Sequence, residues 1–485
     1  MSATNRPWTV VALLLAFFLA AMEMTVVSTA MPTAVGDLGG IQLYAWAFAS
    51  YMLAATVTVP VYGKLADLHG RKPVMIMGIA LFLAGSFACG QAGSMQQLIA
   101  FRTVQGLGAG AIQPIALTIV GDLFDIHQRS RMQGLFASVW GIAGLAGPLL
   151  GGAIVHWLSW RWVFYVNVPA GLGCAAVLSI AYHERPERHP HKLDVAGAVL
   201  LTAAVVLLLA AARSRAAALV ALPAATLAAG LFLAVERRAR EPLLPPDLFA
   251  QRVMAVASVS GALVGAAFIS TVTYVPLYVQ SVLGGTPGDA GAAIAPMAVG
   301  WPVASTLAGR LLPRVGYRRL IRGGLCLSAL AALLLALFLR PGAGLWVPRL
   351  LTGLYGLGLG CANTPLVIAV QSTVPWNRRG VATASTMFFR TIGGTLAVGI
   401  LGGVLAAALA GANAAPAAVD QLLGPERDLM DPALLRSLAG LLQAGMGRMF
   451  WIIAAIAAGG LLASLFFPRL AIAARPLPAV EEDAA

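Results

Sequence analysis

The chain has 485 residues, of which 59% are hydrophobic and only 11% are charged, and its mean hydropathy is +0.84. This composition excludes an ordinary soluble protein, because a soluble chain of this length needs far more charge to cover its surface. The net charge of +13 does not indicate a nucleic-acid partner, because the placement of the basic residues follows a membrane topology.

Apolar runs of about 20 residues follow one another along nearly the whole chain, and each can cross a hydrocarbon core of roughly 30 Å as a helix. The first run is not expected to be a cleaved signal peptide, because it lacks a small-residue cleavage site and further spans follow it at once. Fourteen spans are predicted, at 8–30, 43–62, 73–92, 95–119, 133–156, 163–182, 195–212, 216–235, 253–281, 290–308, 320–339, 345–370, 381–410 and 447–468.

Basic residues are unevenly distributed between the predicted loops. If the N-terminus is inside, the inner loops and tails hold 22 of the 32 Lys and Arg residues. This excess is the positive-inside pattern of membrane proteins. Together with an even number of spans, it predicts a multi-pass protein of the plasma (inner) membrane with both termini in the cytoplasm.

Two short segments recur with nearly the same offset. Gly63–Lys72 matches Gly309–Arg318 at an offset of 246, and Arg102–Gly106 matches Arg349–Gly353 at an offset of 247. The two halves are therefore predicted to be duplicates of one six-span unit with the same topology. The predicted domains are an N-terminal bundle (1–190), an inserted helical pair (191–240), a C-terminal bundle (241–470) and a cytoplasmic tail (471–485).

The motifs, taken in order, resemble those of one known family. Gly63–Lys72 resembles the loop signature of the major facilitator superfamily. Four further segments resemble the span signatures of its fourteen-span drug/proton antiporters, and they are Met22–Pro32, Leu98–Gly106, Gly134 with Gly147–Gly152, and Trp160–Pro169. The chain departs from these signatures at Glu23, where Asp is usual, at Ser28, where Asn is usual, and at Ala143, where Gly is usual.

This resemblance implies an all-α membrane protein with the major facilitator fold, built from two six-helix bundles plus two inserted transmembrane helices. It also implies a proton-coupled antiporter that exports amphiphilic or lipophilic small molecules, of the multidrug efflux type. One buried carboxylate against Arg102 and Arg390 suits anionic, zwitterionic or lipid-like cargo at least as well. An exporter or flippase of lipid-like molecules is therefore the first alternative, and a non-transporting receptor or scaffold is the second.

Glu23 is the only acidic residue deep within a predicted span. It lies about seven residues, or roughly 10 Å, from the outer end of its helix, and Arg102 lies at a similar depth in the fourth span. A buried carboxylate is tolerable only beside a partner or in a wet cavity. Burial favours the neutral acid and a nearby arginine favours the carboxylate. The pair is therefore predicted to carry or sense a proton, with a purely structural ion pair as the alternative.

Arg390 lies near the middle of the thirteenth predicted span, where its side chain cannot easily reach either membrane surface. It is expected to contact substrate, to pair with Glu23 in one state, or to bind backbone carbonyls. Arg349 is nearer a helix end and is expected to extend its charge to the surface. Most aromatic residues in such spans face lipid or the interface, but six are candidates to line a substrate cavity: Trp46, Tyr51, Tyr274, Tyr278, Tyr355 and Phe388.

The loop at 63–72 is a predicted gate. Gly63 and Gly70 allow tight turns and close approach of helix ends. Asp67, Arg71 and Lys72 are charges that can form ion pairs in one conformation and release them in another. Ordinary positive charge on an inner loop is the simpler alternative.

Gly147 and Pro148 predict a bend in the fifth span, because proline removes a backbone hydrogen bond. The flanking glycines, Gly147, Gly151 and Gly152, are expected to permit close packing against the other half. The bend is interpreted either as a hinge for alternating access or as a static kink.

Several sites are not expected. The sequence has no Gly-x4-Gly-Lys-Ser/Thr motif, which excludes the obvious ATP-driven pump, and Gly106-Leu-Gly108-Ala-Gly110 is interpreted as helix packing. The four cysteines are dispersed, so neither a disulfide framework nor a metal site is predicted, and neither a cofactor nor an enzymatic activity is expected. The expected partners are a small-molecule or lipid-like substrate, protons and membrane lipids, with a monomer as an open expectation. The outer connection 411–446 is interpreted as a solvated linker, with a lid or a partner contact as alternatives.

Overall fold

Helices form all the regular structure of the described part of the chain. The computed structural model describes residues 4–124, 126–184, 194–211, 215–239, 242–375, 379–411, 416–424, 427 and 430–470. Lipid offers the peptide groups no hydrogen bonds, so a chain this apolar satisfies its backbone within helices. The predicted all-α class is confirmed.

The first half of the chain begins with seven helices, and two further helices follow. Their bounds are α1 (Arg6–Leu38), α2 (Tyr44–His69), α3 (Arg71–Gly90), α4 (Met95–Leu123), α5 (Ile126–Trp157), α6 (Trp162–Tyr165), α7 (Asn167–Ala181), α8 (Val195–Ala211) and α9 (Arg215–Glu236). The second half contains α10 (Pro246–Phe249), α11 (Arg252–Ser281), α12 (Pro287–Val315), α13 (Tyr317–Phe338), α14 (Trp346–Thr373), α15 (Arg379–Gly411), α16 (Pro416–Leu423) and α17 (Pro432–Leu465). We call α1–α7 the N-half and α10–α17 the C-half.

Eleven helices of the described residues are long and apolar enough to cross a membrane, and two shorter apolar helices are Gly141–Trp157 and Ala196–Ala211. Every predicted span falls on one of the helices given above, or on α6 and α7 together. The total of fourteen spans stays a prediction. So does the division into domains, because the boundaries near 190 and 240 touch residues outside the described part.

Close packing of glycines is duplicated in the two halves. On α4, Gly106 and Gly110 lie against α2, and Gly108 lies against the backbone of α3 at Phe82. The three glycines Gly356, Gly358 and Gly360 on α14 repeat this arrangement: the outer two lie against α12 and the middle one lies against α13. Small residues let helix backbones approach closely in lipid. The first triplet is therefore helix packing, as predicted, and its copy in the C-half went unnoticed in the sequence.

The two halves contact each other at one end of the molecule, which we call the closed end. There the hydroxyl of Tyr44 donates to the carbonyl of Thr273 (2.7 Å), and Nε2 of Gln280 donates to the carbonyl of Thr29 (3.0 Å). The hydrogen bonds that join a described residue of one half to a described residue of the other lie at this end. The opposite end, where Arg6 begins α1 and α2 meets α3, we call the open end.

The connection 411–446 is more than a solvated linker in its described parts, so that interpretation is wrong there. Asp420 on α16 accepts hydrogen bonds from the backbone N–H groups of Gly40 (2.9 Å) and Ile41 (3.0 Å) across the closed end. Helix α17 already begins at Pro432, capped by Asp431, well before the predicted span. The linker interpretation fails because Asp420 is the acceptor for two N–H groups at the turn between α1 and α2, where Ile41 is buried.

The inserted helices α8 and α9 lie beside the contact between the halves. Val205 and Leu209 of α8 pack with residues of α2, including Trp46, and with Ile392 and Leu396 of α15. Helix α8 therefore touches both halves. Trp46, a candidate for the substrate cavity, belongs to this packing against α8.

Candidate functional site

Glu23 and Arg102 lie in direct contact in the core of the N-half. Their side chains are 0% and 1% exposed, and Nη1 of Arg102 donates to Oε1 of Glu23. Helix α1 supplies the carboxylate and α4 supplies the guanidinium. The sequence placed both residues at a similar depth in their predicted spans, and the contact agrees with that placement. The functional role of the pair remains a prediction.

A network of polar side chains completes the environment of Glu23. Nδ2 of Asn167 donates to Oε2 of Glu23 (2.8 Å), so both carboxylate oxygens have donors. Asn167 and Gln105 both donate to the hydroxyl oxygen of Ser86 (3.0 Å each), and that hydroxyl donates to the carbonyl of Phe164 (3.1 Å). The network links α1, α3, α4 and the junction of α6 and α7.

Arg102 is held by more than its carboxylate. Its Nε donates to the carbonyl of Ala47 (3.1 Å), and its Nη1 also donates to Oε1 of Gln105 (2.8 Å). The guanidinium carbon lies 4.2 Å from the ring centroid of Tyr51, within cation–π range. Tyr51, predicted as a cavity residue, is thus buried beside the ion pair.

Ser86, Gln105 and Asn167 escaped the sequence analysis. Gln105 follows Arg102 by three residues and therefore shares its helix face, and Asn167 stands inside a segment already singled out for its resemblance. One feature of the sequence could have identified these three residues: a polar side chain in an apolar span needs a hydrogen-bond partner. The sequence does not show toward which neighbouring helix each of these side chains points, so it could not identify their partners.

Arg390 on α15 has a different environment in the C-half. Its Nη1 donates to Oδ1 of Asn363 on α14 (3.4 Å), and its guanidinium carbon lies 6.0 Å from the ring centroid of Trp301. Trp301 packs edge-on against Phe268 (4.9 Å between centroids). None of the ion pairs between described residues involves Arg390, and Glu23 is already paired in this conformation.

Three predicted cavity aromatics are fully buried among helices. The hydroxyl of Tyr274 donates to the carbonyl of Val398 (2.7 Å), and the hydroxyl of Tyr278 donates to the carbonyl of Leu339 (3.0 Å). Tyr355 is equally buried. These rings lie in the packed core and do not line an open surface in this conformation. Phe388 is partly exposed and packs edge-on against Phe389.

The predicted gate is organised around Glu184, which the sequence analysis missed. Its carboxylate accepts from the backbone N–H groups of Arg71 (2.6 Å) and Lys72 (2.9 Å) at the start of α3. Nε of Arg71 lies 3.2 Å from Oδ2 of Asp122, and Nζ of Lys72 donates to the last carbonyls of α7. Gly70 has φ = +99°, and a Cβ there would lie 2.8 Å from Oε2 of Glu184.

Two other gate residues, Gly63 and Asp67, belong to α2. Gly63 lies inside α2, and no neighbouring atom of a described residue lies within 4 Å of where its Cβ would be. The expectation that it makes a tight turn or a close approach is wrong, because α2 continues unbroken to His69. Asp67 belongs to α2, but its side chain lies outside the described residues.

The predicted hinge lies within α5, which continues through Pro148. A Cβ at Gly147 would overlap the hydroxyl of Thr25, and a Cβ at Gly151 would overlap that of Thr29. Both threonines belong to α1, so Gly147 and Gly151 pack within the N-half. A Cβ at Gly152, in contrast, would lie 2.9 Å from Cα of Gly288 on α12. The expected packing of the flanking glycines against the other half is therefore confirmed at Gly152 and wrong at Gly147 and Gly151. The carbonyl of Pro148 does face the C-half, where it lies against Gly291.

The chain is similar to a known protein family and to two bacterial relatives. Residues 13–398 match the model of the Major Facilitator Superfamily. The chain is 34% identical to the multidrug transporter protein MdtP of Bacillus subtilis (strain 168), over 82% of this chain and 75% of that protein. It is 36% identical to multidrug resistance protein 3 of the same organism, over 82% of this chain and 79% of the relative.

Solved structures agree on the fold. A bacterial homologue of the human lysosomal transporter Spinster, inward-facing and unoccupied, aligns with a TM-score of 0.71 at 18% identity, covering 96% of this chain and 98% of that one. A D-xylose–proton symporter aligns with a TM-score of 0.64 at 13% identity, covering 96% and 97%. At these identities the likeness concerns the fold alone.

Proposed function

Because the chain belongs to the Major Facilitator Superfamily, we propose that it is a proton-coupled antiporter that exports amphiphilic or lipophilic small molecules, of the multidrug efflux type. The names of the two Bacillus relatives support the multidrug part. The buried contact between Glu23 and Arg102 carries the coupling part.

The physical reason is the cost of an unpaired charge in a dry core. While Glu23 is ionised, Arg102 and Asn167 satisfy both of its oxygens. A proton on Glu23 removes its charge and leaves the guanidinium of Arg102 buried without a counter-ion, which is strongly unfavourable. Because the network joins helices of the N-half, this change in charge balance favours a different arrangement of α1 and α4.

The same proposal includes the topology. Fourteen spans in a plasma (inner) membrane would leave both termini in the cytoplasm, in agreement with the excess of basic residues on that side. The open end, which carries Arg71 and Lys72, is then the cytoplasmic end. In this reading the closed end with α16 faces outward.

A second candidate function rests on Arg390. It is a cation in the body of the C-half, and its described partners are an amide oxygen and an aromatic ring. Such a group suits the negative charge of an anionic or zwitterionic amphiphile. An exporter or flippase of lipid-like molecules is therefore the alternative, with Arg390, Asn363 and Trp301 as its substrate contacts.

Transport assays with purified protein in proteoliposomes test the proposal. An imposed proton gradient is expected to drive movement of a cationic dye, and Glu23→Gln is expected to abolish this gradient-driven flux. Asp289→Asn is the matched control, because Asp289 pairs with Arg349 (2.9 Å), the counterpart of Arg102 in the C-half, and its loss should leave the flux in place.

The outcomes separate the candidates. Dye flux that survives Glu23→Gln with its dependence on the gradient intact would refute coupling through this residue. Flux of a fluorescent anionic lipid that is lost in Arg390→Gln, without movement of the dye, would favour the second candidate. Absence of any driven flux, combined with specific binding of a partner protein, would favour the receptor or scaffold.

A further inference from the structure

Four arginines gather at the open end of the C-half. Arg252 begins α11, Arg318 and Arg322 lie in the first turns of α13, and Arg469 follows the end of α17. We call this group the arginine corner.

Hydrogen bonds hold the corner together. Nε of Arg252 donates to the carbonyl of Phe466 (3.0 Å), and Nη2 of Arg322 donates to the carbonyl of Leu465 (2.7 Å). These bonds fix the ends of three helices side by side. They also bring like charges together, because Arg318 lies one helical turn before Arg322 on α13 and Arg469 lies three residues beyond Phe466, whose carbonyl binds Arg252.

The corner lacks a negative counterpart within the described part of the chain. Nε of Arg318 is buried there without a hydrogen-bond partner. None of the ion pairs formed between described residues includes a member of the corner. Clustered cations with an unsatisfied buried donor are costly unless an anion joins them.

The corresponding place in the N-half contains both a basic and an acidic side chain. There Lys72 donates to the last carbonyls of α7, as Arg322 does to those of α17. Just after α7, however, the chain supplies Glu184, whose carboxylate binds the start of α3. Just after α17 the chain supplies Arg469. The described residues of the C-half thus lack an anion that the N-half carries as a side chain.

Apolar side chains adjoin the arginine corner. Leu462, Leu465 and Phe466 at the end of α17 are 59%, 47% and 62% exposed. Leu465 and Phe466 are the residues whose carbonyls bind Arg322 and Arg252. A ligand that fills this place would therefore meet positive charge at one end and apolar surface directly beside it.

We propose that the arginine corner binds the phosphate group of an anionic phospholipid, whose acyl chains lie along Leu462, Leu465 and Phe466. Guanidinium groups bind phosphate oxygens through paired hydrogen bonds. Basic residues at the ends of membrane helices attract anionic lipids for the same reason. The lipid supplies in the C-half the negative charge that Glu184 supplies in the N-half.

Binding to the purified full-length protein in neutral detergent, followed by native mass spectrometry, tests this proposal. The probes are phosphatidylglycerol, phosphatidylcholine with the same acyl chains, and inorganic phosphate. The test variant is Arg318→Gln/Arg469→Gln, which keeps the two arginines that hold α17. The control is Arg340→Gln/Arg436→Gln, which removes the same charge at the closed end from side chains bonded only to nearby carbonyls.

Phosphatidylglycerol is expected to bind the wild type and the control more tightly than phosphatidylcholine does. Each arginine removed from the corner should weaken its binding about fivefold, the usual effect of one basic side chain near an anionic membrane surface. Equal affinity of both double variants for phosphatidylglycerol would refute the proposal. Displacement of the lipid by an equal concentration of inorganic phosphate would also overturn it, in favour of a free-anion site.

The acidic residues near the C-terminus provide a last check. Full-length protein with Glu481→Gln, Glu482→Gln and Asp483→Asn should bind phosphatidylglycerol as the wild type does. If lipid binding appears only in this variant, the protein's own carboxylates occupy the corner, and the lipid assignment is wrong.

Discussion

The N-half and the C-half share their packing but not their charges. In the N-half, Glu23 faces Arg102, and Glu184 faces Arg71 and the start of α3, so both of these sites contain an acidic group. In the C-half, Arg390 and the arginine corner have no such partner among the described residues. Duplication therefore preserved the contacts between backbones, while the polar chemistry of the two copies diverged.

Arg102 and Arg349 occupy corresponding positions in the two halves, but their ion pairs differ in burial. Arg102 pairs with α1 and is 1% exposed, whereas Arg349 pairs with Asp289 on α12, and these two side chains are 41% and 27% exposed. Solvent screens the second pair and not the first. The expectation that Arg349 lies near a surface is compatible with its exposure, but its partner was not foreseen.

The largest effect is expected from removing these two arginines separately. Arg102→Leu strands the carboxylate of Glu23 in the core and should destabilise the protein by about 3–5 kcal/mol. Arg349→Leu breaks a partly exposed pair and should cost about 0–1 kcal/mol. Thermal unfolding in detergent measures both. Adding Glu23→Gln to Arg102→Leu should restore much of the loss, and equal losses for the two single variants would contradict the comparison.

The shared packing predicts equal effects at the duplicated glycines. A Cβ at Gly108 would overlap the backbone of Phe82, and a Cβ at Gly358 would overlap Ser328. Gly108→Ala and Gly358→Ala should therefore each cost about 1–3 kcal/mol, the usual range for overpacking. Gly173→Ala is the control, because nothing lies within 4 Å of that position. A large cost in only one half would show that the packing is not truly duplicated.

The smallest effect concerns the glycines before α3 and α13. Gly70 and Gly316 have φ values of +99° and +85°, but only at Gly70 would a Cβ meet a neighbour, the carboxylate of Glu184. Both alanine variants should lose about 1 kcal/mol from backbone strain. Gly70→Ala should lose somewhat more because it also displaces Glu184. Equal unfolding temperatures for the two variants would argue against a structural role of that carboxylate.

The pair of Glu23 and Arg102 was predictable because a charge inside an apolar span must have a partner, and only a few charges were available at that depth. The environments of Tyr274 and Tyr278 were harder to predict from the sequence. An aromatic ring in a span packs equally well against helices, lipid or a cavity, and its residue type does not distinguish these environments. Their hydroxyls turned out to bind carbonyls within the packed core.

The amino-acid sequence by itself determined the membrane class, the helices, the internal repeat and the carboxylate at Glu23, because hydropathy and charge act locally along the chain. Only the tertiary structure decided which polar groups meet. Glu184 reaches the start of α3 from 112 residues away, and Arg322 on α13 binds the last carbonyl of α17 from 143 residues away. Such contacts depend on how helices pack side by side, and no local pattern in the sequence encodes that arrangement.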